Sequence, residues 1–280
     1  MSLKENLEKA KNEKWALGQF NFSTVEQMKG IVEAAKEKNV PVILGTSRGE
    51  SQFLGLKEAV ALRDVLREKH SDIYLNLDHG RDIEWIKKAI EAGYDMIHFD
   101  GSDLSLEKNI EKTKEVVSMV AGKDIVIEGE IGKVGGGSNM HEGAPKEQKD
   151  LTSTETLVKF ISETDVDLCA FSIGNVHGVY TQMPELDFDR LTDISEKTDI
   201  GLVMHGGSGI STTDLKTSIK KGVVKVNVNT ELRNEWRKEI ERSFNENPNT
   251  VTPYKLFKEV STVISKKTKE KINIFYENSI

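Results

Sequence analysis

One cysteine, Cys169, stands in 280 residues, so no disulfide can form within the chain and a reducing compartment is expected. Proline is scarce, five in all. No stretch rich in Pro, Gly or Ser divides the chain, and a single domain over 1–280 is expected. No run of about 18 apolar residues occurs, which excludes a hydrophobic membrane-spanning helix. Met1–Lys14 alternates charged and apolar residues as an amphipathic helix does and lacks the apolar core of a signal peptide, so a cytoplasmic protein is expected. Positive charge is in deficit, 39 Lys and Arg against 46 Asp and Glu, a net −7. That argues against a general nucleic-acid surface while leaving room for a local anion site made of backbone amides. What remains is an ordinary balance of 37% apolar and 30% charged residues, enough to bury a large core.

The apolar residues are organised. Eight short runs recur, each followed by a polar turn and an amphipathic stretch: Ala16–Phe22, Pro41–Gly45, Ile73–Leu77, Met96–Phe99, Ile125–Gly129, Val166–Ser172, Gly201–Met204 and Val223–Val228. Between them, apolar residues at three- and four-residue spacing predict helices over Val25–Lys38, Leu56–Lys69, Ile83–Ala92, Leu106–Val120, Ser153–Glu163 and Thr213–Lys220. Strands rich in Val, Ile and Leu that alternate with helices predict a parallel sheet covered by helices. Eight such units favour a closed (β/α)8 barrel of the TIM type, an α/β fold, over an open doubly wound sheet. The first run ends Gln19-Phe20-Asn21-Phe22-Ser23, with no Gly-x-Gly-x-x-Gly to suggest a dinucleotide site. Leu232–Ile280 reads as additional C-terminal helices interrupted at Asn247–Pro253, placed to close the barrel or carry subunit contacts.

Reactive side chains fall at the ends of these runs. Asp78 and His79 follow the third, Asp100 the fourth, Glu130 the fifth, His177 the sixth and His205 the seventh; Asn227, Asn229 and Thr230 end the eighth. In a (β/α)8 barrel all of these positions open on the C-terminal face, where active sites of this fold form. Of six histidines, His70 ends a polar helix and reads as solvated, His141 sits in a Gly-rich loop, and His98 alternates with Asp100 as a hydrogen-bonded core residue would. His79, His177 and His205 remain, each followed by glycine. Three converging imidazoles with a fourth position open suit a catalytic zinc ion. Asp100 and Glu130 read as oxygen ligands of a second divalent or monovalent cation, as partners orienting the imidazoles, or as simple hydrogen-bonded carboxylates. Gly206-Gly207-Ser208-Gly209 and Asn227-Val228-Asn229-Thr230 follow the seventh and eighth runs, the recurrent phosphate site of this fold.

Taken in order, Leu77-Asp78-His79-Gly80, Phe99-Asp100-Gly101-Ser102, Glu128-Gly129-Glu130-Ile131-Gly132, Gly174-Asn175-Val176-His177-Gly178-Val179-Tyr180, His205-Gly206-Gly207-Ser208-Gly209 and Asn227-Val228-Asn229-Thr230-Glu231-Leu232 closely resemble the class II fructose-bisphosphate and tagatose-bisphosphate aldolases. The resemblance covers about Glu5 to Tyr276. It implies zinc on His79, His177 and His205, with Asp100 and Glu130 in or near a second metal position. It implies Asp78 as proton donor and acceptor at the C4 hydroxyl. Gly178, Gly206, Gly207, Ser208, Asn227, Val228, Asn229 and Thr230 would contact the phosphorylated ketose. Ser47 sits where the family places a serine near the substrate, Asn21 would reach the pocket, and Asn227 would donate to the enediolate. The implied reaction is reversible cleavage of a ketose 1,6-bisphosphate, fructose 1,6-bisphosphate first, to dihydroxyacetone phosphate and glyceraldehyde 3-phosphate. A homodimer or homotetramer is the family expectation for partners, with no membrane and no nucleic acid.

Three segments depart from the family pattern. The loop after the fifth run reads Gly135-Gly136-Gly137-Ser138-Asn139-Met140-His141-Glu142, without the acid that would handle proton transfer at C3; Glu142 is the nearest substitute. Thr181-Gln182 replace a frequent Lys-Gly. Near the C-terminus, where an arginine can reach the distal phosphate, the chain has Thr252-Pro253-Tyr254-Lys255, and Lys255 lacks the bidentate fork. A tagatose-bisphosphate or related ketose-phosphate aldolase, a zinc-dependent sugar-phosphate isomerase or epimerase, and a non-catalytic sugar-phosphate binder are the alternatives. A Schiff-base mechanism on Lys225 would leave three histidines unexplained.

Overall fold

The computed structural model describes residues 1–145 and 151–277. Among these, ten strands form: β1 (Leu17–Asn21), β2 (Val42–Ser47), β3 (Ile73–Gly80), β4 (Met96–Phe99), β5 (Val126–Glu130), β6 (Gly135–His141), β7 (Leu168–Ala170), β8 (Val176–Tyr180), β9 (Gly201–Met204) and β10 (Val223–Val228). Eight of them close a parallel barrel in the order β1-β2-β3-β4-β5-β7-β9-β10. The seam joins β1 to β10, with Leu17 opposite Lys225 and Gln19 opposite Asn227. This is the (β/α)8 barrel expected from the alternation of runs, and each of the eight runs supplies one of its strands.

The helices are α1 (Leu3–Glu13), α2 (Val25–Lys38), α3 (Arg48–Leu54), α4 (Leu56–Arg67), α5 (Ile83–Ala92), α6 (Leu106–Met119), α7 (Thr154–Thr164), α8 (Phe188–Lys197), α9 (Thr212–Lys220), α10 (Thr230–Glu246), α11 (Pro253–Leu256) and α12 (Val260–Phe275). Helix α2 shows how local sequence sets this layer. Thr24 and Gln27 close a capping box at its start, and Asn39 in the left-handed conformation ends it. Met28, Ile31, Val32 and Ala35 form its buried stripe. Helix α12 packs against α2, α9 and α10 and lays Phe275 on Phe20, so the C-terminal segment completes the outer layer. No helix among the described residues is long and apolar enough to cross a membrane.

Two segments differ from the sequence expectation. Gly135–His141, expected as a loop, runs as β6 and pairs in parallel with β8 in a ribbon outside the barrel. The sixth run, expected over Val166–Ser172, keeps only Leu168–Ala170 as strand. Asn175 is the physical reason: its Oδ1 accepts from Ile173 N, while its Nδ2 donates to the carbonyls of Phe171 and His205. The chain is thereby turned off the barrel wall and sent into β8. His70, read as solvated, has its Nε2 2.8 Å from the Val40 carbonyl.

Candidate metal centre and active site

At the C-terminal end of β3 the pairing with β4 shifts between Leu77 and Gly80, and His79 adopts a left-handed φ of 50°. Such a conformation strains a non-glycine residue and re-aims its side chain. Here it also points the His79 N–H at Nδ1 of His98, 3.0 Å away. The His79 Nε2 lies 3.2 Å from Nε2 of His177 and 3.2 Å from Nδ1 of His205. Four ligands around zinc at about 2.0–2.1 Å stand about 3.3 Å apart, so both spacings fit shared coordination. His177 arrives on β8 and His205 directly after β9, which explains why the chain leaves the barrel after β7: the detour brings His177 back over the opening.

Two of these imidazoles have their other ring nitrogen tied to a carboxylate. His79 Nδ1 is 2.9 Å from Asp100 Oδ2, and His205 Nε2 is 2.7 Å from Glu128 Oε1. Asp100 is itself held by Arg81 and by the Ser102 hydroxyl and N–H. Carboxylates behind imidazoles fix the tautomer and orientation that a metal requires. Glu130 Oε2 is 3.1 Å from His98 Nε2 and 3.7 Å from His79 Nδ1, and it is buried without an aligned hydrogen bond. Ligand atoms of Asp78, His79, His98 and His205 lie within 4.8 Å of one another, and so do those of His79, Asp100 and Glu130. These are the groups among the described residues able to hold a metal ion, and His177 joins them through His79.

Electrostatics favour metal-ready imidazoles on one side and an ionised acid on the other. Burial, reinforced by the neighbouring rings of His79 and His205, pushes the His177 pKa down to about 3. Burial likewise lowers that of His205 against the pull of Glu128. For His79 burial opposes charge, but Asp78 and Asp100 outweigh it and raise the pKa. Burial also opposes the charge of Asp78, yet His79, His98 and His205 hold its carboxyl well below the usual range. Asp78 is therefore a carboxylate at neutral pH. Its two oxygens accept from two amides, Oδ2 from Asn21 at 2.9 Å and Oδ1 from Asn227 at 3.2 Å.

A cavity of about 270 Å³ opens over this cluster. Asn21, Ser47, Asp78, His79, His177, Gly178, His205, Gly206, Ser208, Asn227, Asn229 and Thr230 line it. Among the described residues, Asp78 is the only carboxylate in the lining. Gly206 has φ 69° and a Cβ there would sit 2.1 Å from the Val176 carbonyl, so only glycine lets His205 and β8 approach this closely. The α10 N-terminus faces the cavity through Asn229 and Thr230, and the Ser208 hydroxyl accepts from Asn229 N and Glu231 N at 3.3 Å. Gly207 and Val228 lie behind this turn, outside the lining, and Asp100 and Glu130 lie behind the imidazoles. Glu142 is exposed beyond β6, and Lys255 is exposed on α11; neither reaches the cavity.

The cavity lining also holds two residues, Arg233 and Ser138, to which the sequence reading gave no role. Arg233 lies in the first turn of α10 and Ser138 on β6. Glu128 stands behind His205, and Lys225, wholly buried, donates to Glu128 Oε2 at 2.8 Å and to Asn227 Oδ1 at 2.7 Å. The Lys225 ammonium is thus spent inside the wall and is not presented to the cavity. Period-two alternation was the available signal: Glu128 and Lys225 sit two residues before Glu130 and Asn227, on the same face.

A family model described as fructose-bisphosphate aldolase class-II matches residues 1–279. The chain belongs to the class II aldolase family. It is therefore an enzyme of the carbon–carbon lyases. A sulfofructosephosphate aldolase of Alkalicoccus urumqiensis is 37% identical over 98% of this chain and 96% of its own. A 6-phospho-5-dehydro-2-deoxy-D-gluconate aldolase of Bacillus licheniformis is 38% identical over 90% of this chain and 87% of its own. Among solved structures, the YdjI aldolase from Escherichia coli K12 superposes with a TM-score of 0.82 at 26% identity, covering 100% of this chain and 98% of that one.

Proposed function

We propose that this aldolase cleaves a phosphorylated ketose reversibly to dihydroxyacetone phosphate and an aldehyde, with zinc on His79, His177 and His205. The observation that carries this reading is the Asp78 carboxylate, oriented by two amides beside three converging imidazoles. The donor set fits the ion: three imidazole nitrogens, two of the spacings at a tetrahedral edge, and carboxylates behind two rings. The chemistry such an ion supplies when bound is Lewis-acid withdrawal of charge from a carbonyl oxygen.

The rest falls to the chain's own side chains. Asp78 takes the proton of the C4 hydroxyl as the C3–C4 bond breaks and returns it in condensation, for which it must start ionised. Asn21 and Asn227 fix its plane and leave each oxygen a lone pair for the substrate. The α10 N-terminus with Gly206 and Ser208 forms the phosphate end, where backbone N–H groups and the helix dipole favour an anion. The Asn229 Oδ1, buried and without a hydrogen-bond partner, offers an acceptor to a substrate hydroxyl. Arg233 supplies the cation for the far end of the substrate in place of Lys255.

Fructose 1,6-bisphosphate is the first substrate to test. Tagatose 1,6-bisphosphate, the alternative that the sequence resemblance implies, comes next, and the relatives' names extend the panel to sulfofructosephosphate and 6-phospho-5-dehydro-2-deoxy-D-gluconate, whose distal groups differ. Release of triose phosphate would be measured for each before chelation, after it, and after zinc is restored. The reading predicts cleavage of at least one, lost with chelator and regained with zinc. Interconversion of sugar phosphates without cleavage would replace it by an isomerase.

A further inference from the structure

Glu50 is a buried acid beside the site to which the mechanism above assigns no task. It lies in the first turn of α3 and is 5% exposed. Its Oε2 accepts from Ser47 N at 2.8 Å and from Asn21 Nδ2 at 3.1 Å; its Oε1 accepts from Arg233 Nη2 at 2.7 Å. The bond to Ser47 belongs to the capping box that starts α3. The other two bonds lead into the cavity by separate routes.

On the first route, the second Asn21 amide proton goes to Asp78 Oδ2, and Asn21 Oδ1 accepts from Gln19 Nε2 at 3.1 Å. All three polar positions of this carboxamide are thereby committed. A flip would turn its oxygen toward two carboxylates, so Glu50 and Gln19 together decide how the amide meets Asp78. On the second route, Arg233 comes from the start of α10. It borders both the catalytic cavity and an adjoining cavity of about 590 Å³ that shares Ser138 and Thr230 with it. Arg233 Nη1 also donates to the Ser138 carbonyl at 3.3 Å, so without Glu50 the guanidinium keeps only this longer, uncharged partner on a partly exposed side chain with many rotamers.

We propose that Glu50 is a positioning residue for both ends of the site. It pins the Asn21 amide against Asp78, and it holds the Arg233 guanidinium on the wall where the aldehyde half of the substrate lies. The inference rests on the aldolase reading. It differs from a capping role in its consequences, because a glutamine caps a helix as well as a glutamate but has a single oxygen. In Glu50→Gln that oxygen is claimed by Ser47 N–H and Asn21, and the NH2 group is left facing Arg233.

The test compares zinc-loaded wild type, Glu50→Gln and Glu50→Ala in cleavage kinetics and in side-chain amide NMR, with the Asn21 signal identified by its loss in Asn21→Ala. Glu50→Gln is expected to raise KM about tenfold while kcat stays within about threefold. Glu50→Ala is expected to lower kcat at least about tenfold as well, because the amide is no longer fixed on Asp78, and to speed exchange of the Asn21 amide protons. Kinetics of Glu50→Gln indistinguishable from wild type, or folded Glu50→Ala that loses stability without losing kcat, would overturn the proposal. An unaltered Asn21 signal in Glu50→Ala would overturn it too. Wild type that cleaves no ketose phosphate would sink the aldolase reading instead, and the amide spectra would still decide whether Glu50 pins Asn21.

Discussion

On their outer face the barrel strands present Leu75, Ile97, Ile127 and Val224 to the helices; on their inner face the same strands present Asn76, His98, Glu128 and Lys225. Both sets are buried. Barrels of this fold are ordinarily filled with layers of Val, Ile and Leu. Here the inner wall is a connected set of polar side chains that continues downward from the cavity, through Lys225–Glu128–His205 on one side and Asn76–Gln19–Asn21–Asp78 on the other. The outer face needs only residues of suitable size and apolarity, and a conservative change there is absorbed by neighbours. Each inner residue has a named partner, and its loss leaves that partner buried and unpaired. The apolar shell supplies the fold's stability, which permits a polar interior that orients the chemistry.

Substitutions on the two faces should therefore differ in kind as well as size. The largest effect expected is on metal: His205→Ala should lose bound zinc outright, measured as metal content after purification in excess zinc. Full retention there would remove His205 from the site. Next is Lys225→Met, which strands the Glu128 carboxylate in a wall that excludes water. Breaking a buried pair costs about 3–5 kcal/mol, so thermal unfolding should shift well down, and Lys225→Met with Glu128→Gln should recover much of the loss.

A milder handle is pH. With His79 as a ligand, as proposed, zinc would compete with a proton for its Nε2, and the pKa of His79 is raised by Asp78 and Asp100 against the effect of burial. Lowering pH through that raised pKa should weaken zinc binding by up to about tenfold per unit, whereas raising pH above it should change little. His177, held near 3, contributes no such dependence in that range. Zinc titrations at several pH values check this; a flat profile would contradict the assigned proton. The smallest effect is expected outside: Ile97→Val should cost about 1 kcal/mol and leave kcat and zinc content unchanged.

The same contrast explains what could be read from sequence. The outer face announces itself through apolar runs and helical periodicity, and the eight strands and their order followed. The residues at strand ends, Asp78, His79, His205 and Asn227, were legible because the fold sends every such end to one face. His177 was found as a residue, but its strand was not, because β6 and β8 lie in Gly-rich, polar sequence that carries no apolar period. Glu50, Glu128 and the pairing of Lys225, weighed in the sequence only as a Schiff-base lysine, were hidden for another reason: what a charged residue inside a strand or after a serine cap does is not evident until its partner, distant in the chain, is known. Arg233 resembled an exposed helix residue in the same way.

The most direct test of the account is zinc-loaded Asp78→Asn assayed beside wild type on the ketose phosphate that wild type cleaves. Asparagine keeps the shape at that position and removes the base. The account predicts zinc content equal to wild type and a fall in kcat of about a hundredfold or more, the scale of general base catalysis. A variant that keeps zinc and turns over within a few fold of wild type would show that Asp78 does not move the proton, and the mechanism proposed for this barrel would be wrong.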